Sequence, residues 1–96
     1  MNYLERVAAQ IKERIPADTL PAGDTRPLFL MYAVLARAKG EAVTPEDVHD
    51  AWAAWMTSSG LSDHEALIEY QRLDVGTRRE DDVFVAAIRD VARSVL

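Results

Sequence analysis

Thr44-Pro45-Glu46-Asp47-Val48-His49-Asp50-Ala51-Trp52-Ala53-Ala54-Trp55-Met56 is the stretch from which the fold is read. Thr44 is suited to accept a hydrogen bond from the free N–H groups of a first helical turn. Pro45 fits the first helical position, where no N–H is required. Glu46 and Asp47 then place negative charge at the positive end of the helix dipole. Val48, Trp52 and Trp55 recur at i, i+4 and i+7 and so share a face. The spacing predicts a helix from Pro45 to about Thr57, stopped by Ser58-Ser59-Gly60. On its apolar face Trp52 is expected in the core and Trp55 near a surface groove.

Upstream, Leu28 to Lys39 is apolar on nearly every side, through Leu28, Phe29, Leu30, Met31, Tyr32, Val34 and Leu35. Its length, with Arg37 and Lys39 in the last turn before Gly40, favours a helix over a strand. A helix apolar all round is read as the central one, packed by neighbours on several faces. The alternative is that one face awaits another subunit. Pro16 to Pro27, with three prolines and Gly23, is a connecting loop. Before it, Asn2 and Glu5 resemble a capping box with asparagine in place of Ser or Thr, and Leu4, Val7, Ile11 and Ile15 form one apolar stripe.

Downstream, Leu61 to Val75 admits two readings. Ser62 with Glu65 caps a short helix in one, and Leu67-Ile68-Glu69-Tyr70 runs extended in the other. Thr77 with Glu80 reads as a capping box that opens a final helix, in which Phe84, Ile88, Val91 and Val95 share a face. No sustained strand alternation or internal repeat occurs. The fold class is therefore all-α: a compact four-helix domain over residues 1–96, with room for a short fifth helix.

Sixteen acidic residues against eleven basic ones give a net charge of −5. That charge repels a nucleic-acid backbone, and no extended Lys/Arg face offsets it, so a nucleic-acid polymer is not an expected partner. The absence of cysteine excludes a disulfide framework, a thiolate zinc site and a cysteine nucleophile. Leu28 to Ala36, the longest apolar stretch, falls far short of the ~20 residues that span a bilayer. Glu5, Arg6, Lys12 and Glu13 interrupt any secretory core after Met1. A cytoplasmic location away from membranes is the expectation. The arginine and alanine bias is that of a GC-rich genome, pointing to a bacterial or phage origin.

The second half carries an apolar–His–acidic–x–Trp helix, Val48-His49-Asp50-Ala51-Trp52, then a His-led segment with His64, Leu67, Ile68, Tyr70 and Leu73, then Arg79-Glu80-Asp81. In order and spacing this resembles the small domain repeated in ryanodine receptors and found free-standing in bacteria, over roughly residues 44–92. Glu65 stands where that family has a proline, its Gly-Trp-x-x-Gly turn is reduced to Gly60-Leu61, and the first 43 residues do not fit its N-terminal segment. The resemblance implies ligand sensing or protein interaction rather than catalysis.

Several residues invite a chemical reading, each with a structural counterpart. His49 is either a titratable group beside an indole or a partly buried histidine that donates to a carbonyl or carboxylate, and the second is preferred. His49 and His64 are the only two histidines, 15 residues apart, and no H-x-x-x-H spacing exists, so no metal site is expected. No Gly-x-Ser-x-Gly elbow or Gly-rich phosphate loop occurs, and no cofactor is implied. Arg78 and Arg79, placed by the pattern in the first turn of the final helix, oppose its dipole, with Arg72 just before them. Either they await a phosphate or carboxylate, or Glu80, Asp81 and Asp82 neutralise them, which is the preferred reading.

The leading expectation is a non-enzymatic helical binding module that meets a protein partner through Trp55 or Tyr70. Next comes a sensor for a small anionic, nucleotide-derived ligand held by Arg78, Arg79, His49 and Tyr70, with Arg72 nearby. An enzyme is the least supported. A homodimer through the first helix or the Leu28–Leu35 helix is the oligomer that the pattern allows.

Overall fold

The computed structural model describes all 96 residues. Thr44 and Asp47 close a full capping box: the Thr44 hydroxyl accepts from the Asp47 N–H at 3.2 Å, and the Asp47 carboxylate accepts from the Thr44 N–H at 2.9 Å. They open helix α3, Pro45–Ser58. Before it lie α1, Tyr3–Glu13, whose first turn is capped by Asn2, and α2, Arg26–Lys39. Gly40 ends α2 at φ +58°, a conformation that glycine adopts without the steric cost other residues meet. After α3 come a five-residue helix α4, Val75–Arg79, and the closing helix α5, Asp82–Ser94. Single 3₁₀ turns occupy Ala17–Thr19, Gly40–Ala42 and Tyr70–Arg72, and there are no strands. The fold is all-α, with four long helices and a short fifth.

The α2 helix packs against α1, α3 and α5. Ile11, Leu28, Val43, Val48, Ile88 and Val91 are sealed in the core between them. Phe29, Tyr32 and Phe84 form a chain of aromatic contacts through it, with ring centroids 5.4 and 5.7 Å apart. The radius of gyration, 12.7 Å, matches the roughly 13 Å of a single domain near this length. The four long helices therefore share one core.

Short helices leave long connections, and each is tied down by a side-chain N–H that donates to a main-chain oxygen. Trp55 Nε1–H donates to the Asp24 carbonyl at 3.1 Å and holds the α1–α2 loop against α3. Arg89 places Nε and one terminal nitrogen on the Val43 carbonyl at 2.9 and 2.6 Å, fixing the α2–α3 link to α5. His49 Nε2 lies 2.7 Å from the Ile68 carbonyl and anchors the segment after α3. Between helices, Arg14 at the C-terminal end of α1 pairs with Asp90 on α5.

Four expectations are corrected. Helix α2 is central but not buried all round: Leu30 and Val34 are 37% and 50% exposed, because three neighbours cover only part of its circumference. Ser62 and Glu65 cap nothing; residues 61–69 form neither a helix nor a strand and pass through two turns and a bend before the 3₁₀ turn. Thr77 and Glu80 do not open the final helix. Asp74 is the cap here, its carboxylate accepting from the Thr77 N–H at 2.8 Å, and Thr77 sits inside α4. Finally, the tryptophans exchange roles. Trp55 is 2% exposed, and Trp52 is the half-buried one. No helix is long and apolar enough to cross a membrane.

Candidate functional site

The junction of α4 and α5 faces the exposed side of α3 across a cleft of about 490 Å³. Its α3 wall is built from His49 and Trp52, three positions apart and therefore neighbours on the helix surface. Their rings lie 5.6 Å apart and tilted by 32°. His64, from the turn segment, stands edge-on to Trp52 at 5.2 Å and 85°. Its Nδ1 accepts the Ala66 N–H at 3.0 Å, which orients the ring. Tyr32 and Phe84, from the core, form the floor. The lining is thus an aromatic surface assembled from four separate parts of the chain.

The carboxylates and the arginine come from the α4–α5 junction. Asp81 occupies the N-cap position of α5, but its backbone is helical (φ −81°, ψ −16°) and its side chain makes no capping bond. The reason is local: Glu80 also keeps helical angles, so the chain runs from α4 into α5 without the extended residue on which side-chain capping depends. The Asp81 carboxylate takes part in no hydrogen bond or ion pair and faces the cleft. Burial pushes its pKa up to about 6; the nearby His49 works against that rise, and the charges of Glu80 and Asp82 add to it. Tyr32 shows the matching effect. Burial, and then the charge of Asp81, raises its phenol well above the usual value. Tyr32 is 1% exposed and its hydroxyl has no partner within the chain, yet no side-chain oxygen or nitrogen is sealed without a partner. The hydroxyl is therefore open to the cleft that it lines.

The residues singled out from sequence divide accordingly. His49 lines the cleft, but at 3% exposure it is mainly structural, and since a carbonyl can only accept, its Nε2 carries the proton. Arg79 is exposed at the rim and bonded to nothing. Arg78 is spoken for: its guanidinium donates to the carbonyls of Tyr70 and Gln71 and lies 5.3 Å from the Tyr70 ring centre. Both arginines sit in the last turn of α4, where they complement the dipole rather than oppose it. Tyr70 packs behind His49, with centroids 6.1 Å apart, outside the cleft. Arg72 is exposed, pairs with Glu69 at 3.5 Å and does not reach the cleft. Trp55 is excluded by burial. The cluster His49–Arg78–Arg79–Tyr70, expected to hold an anion, is thus not assembled as one cradle.

Sequence reasoning missed Tyr32, Asp81 and the outward role of Trp52. Tyr32 is hidden in an apolar helix, where a tyrosine reads as core. Asp81 carried a faint signal, as the middle of three consecutive acids at a helix junction. A hollow of similar size, about 500 Å³, lies between α1 and the start of α2, but its Asp24 and Arg26 neutralise each other at 3.1 Å. No three His, Asp or Glu side chains converge as a metal set.

Comparison with known proteins gives a family match over residues 2–93, described as "Domain of unknown function (DUF7701)". The chain belongs to that family. No curated protein and no solved structure matches it.

Proposed function

We propose that this chain is a non-enzymatic binding module, a cytoplasmic accessory or regulatory protein of bacterial or phage origin that docks a protein partner in the aromatic cleft. The observation that carries this reading is Trp52. A tryptophan left partly exposed beside two imidazoles, over a floor with an unpartnered tyrosine hydroxyl, is the kind of anchor site on which interface energy concentrates. The resemblance of residues 44–92 to ryanodine-receptor repeat domains points the same way. The test is affinity capture followed by measured binding of the recovered partner to purified protein. Trp52→Ala is expected to weaken binding by at least about tenfold while far-UV CD shows the helices intact, with some loss of stability because the indole also packs against the core. Unchanged binding by that variant would remove the cleft from the interface.

A second reading, a sensor for a small anion, rests on Arg79, a rim cation with no partner. Thermal unfolding against nucleotides and simple anions tests it: a bound ligand at 100 times its Kd adds about 2.7 kcal/mol, and Arg79→Ala should abolish the shift. A homodimer is a third arrangement, with a second copy covering Leu30 and Val34 on α2, and the molar mass from sedimentation at increasing concentration measures it.

A further inference from the structure

We infer that the cleft is a receptor for the guanidinium of an arginine side chain presented by the partner; this deepens the docking role proposed above and rests on it. Three independent features converge. The first is Asp81, a partly buried carboxylate that neither caps α5 nor pairs with any cation. A carboxylate held away from water and left unpaired is stabilised most by a positive charge brought to it. The second is the hydroxyl of Tyr32, on a side chain 99% withdrawn from solvent, unpartnered and open to the same space. The third is the wall formed by Trp52 and His64, whose rings offer a surface for a planar cation.

The chemistry selects the ligand class. An anion entering the cleft meets Asp81 and Glu80, with only Arg79 at the rim to attract it. A neutral apolar side chain satisfies the rings but leaves both Asp81 and the Tyr32 hydroxyl without partners. A guanidinium answers all three: its fork donates to the carboxylate and the phenol oxygen, its plane stacks on an aromatic face, and its apolar stem crosses the lining. Lysine supplies charge without the plane and is the weaker fit.

The experiment uses the full chain labelled with ¹⁵N and follows its two indole N–H resonances. Trp52 reports on the cleft, and Trp55, bonded to Asp24 in the core, reports on the fold. The probes are arginine blocked as its N-acetyl methylamide, the equally blocked citrulline, which keeps the shape without the charge, and inorganic phosphate. Blocked arginine should move the Trp52 resonance saturably, with a Kd on the order of millimolar for so small a fragment. Citrulline should bind at least about tenfold more weakly. Asp81→Asn should erase that preference while the Trp55 resonance stays in place. Equal binding of citrulline, movement of Trp52 by phosphate alone, or no response to arginine would each overturn the assignment. Failure of the wider docking role is separable: a partner whose binding falls with Trp52→Ala but ignores Asp81→Asn leaves cleft docking standing and removes the arginine, whereas indifference to both variants removes the two together.

Discussion

Trp55 donates its indole N–H to the carbonyl oxygen of Asp24, 31 residues earlier in the chain, and by that bond the loop before α2 becomes part of the core. Trp52, one helical turn before Trp55, has no such partner and faces the cleft. The two tryptophans therefore respond differently to mutation. Trp55→Phe removes the donor and leaves the Asp24 carbonyl unpaired, at an expected cost of about 1–3 kcal/mol. Trp55→Ala adds a large cavity and should cost about 3–5 kcal/mol, a large part of the stability of a small domain. Trp52→Phe should fall within about 1 kcal/mol of wild type. Urea unfolding of the three variants checks the ordering.

Asp81 gives a pH dependence of unusual sign. A carboxyl whose pKa is raised on folding binds its proton more tightly in the native state, so its contribution to stability is complete below the unfolded value near 3.8 and is lost as pH rises through about 6. Its partial exposure screens the effect, leaving a penalty on the order of 1 kcal/mol at neutral pH. Asp81→Asn should therefore raise the unfolding midpoint at pH 7.5 and leave it nearly unchanged at pH 4. The opposite trend comes from Asp90, held below the usual carboxylate range by hydrogen bonds from Arg14 and Arg93. Its contribution is present above its unfolded pKa and is lost as pH falls through the lower folded value. A midpoint gain for Asp81→Asn that is equal at both pH values would contradict the assignment.

The long helices were legible because their signals are local. The cap Thr44, Pro45 at the first position, Gly40 at a C-terminus and the stripes at 3.6-residue spacing each depend on a few neighbouring residues. What periodicity cannot supply is rotation about the stripe's axis. Val48, Trp52 and Trp55 do share a broad face, but which tryptophan lies nearer the core centre depends on where α2 and the loop at Asp24 arrive. The segment 61–74 was not legible for a related reason. It has no periodicity of its own and takes its course from anchors elsewhere, His49 on Ile68 and Arg78 on Tyr70 and Gln71. The cleft inherits that difficulty, since Tyr32, Trp52, His64 and Asp81 come together only after every other element is placed.

His49→Phe tests the anchor directly. The ring volume is roughly kept while the donor to Ile68 is lost, so the segment after α3 should loosen before the core does. Limited proteolysis is expected to cut within residues 61–69 faster than in wild type, with a global destabilisation of about 1–3 kcal/mol. Unaltered cleavage there would show that the turns hold themselves.

The caps make a paired prediction. Asp74→Ala should speed hydrogen exchange at the Thr77 amide, whose acceptor it removes, whereas Thr77→Ala should leave α4 largely intact. Thr44→Ala, which breaks one arm of the capping box of α3, should lower global stability by about 1 kcal/mol.

Arg89→Met should cost about 1.5–3 kcal/mol, the range for hydrogen bonds made by a charged donor, because both bonds to the Val43 carbonyl disappear while much of the side-chain bulk remains. Arg89→Lys offers a single ammonium in place of the fork and should recover only part of the loss. Chemical denaturation of the pair decides this.

The oxygens that receive Trp55, His49, Arg78 and Arg89 all belong to the backbone, and every residue type supplies that atom. The burden of keeping the loops in place therefore falls on one side of each contact. Asp24, Val43, Ile68 and Tyr70 can change identity without breaking these particular bonds, but the four donors cannot. Divergence among members of the family should accordingly be lopsided, with loop residues drifting freely around a few helix-borne nitrogens that stay put, so that a relative too altered for its loops to align still betrays the same fold through the spacing of its donors.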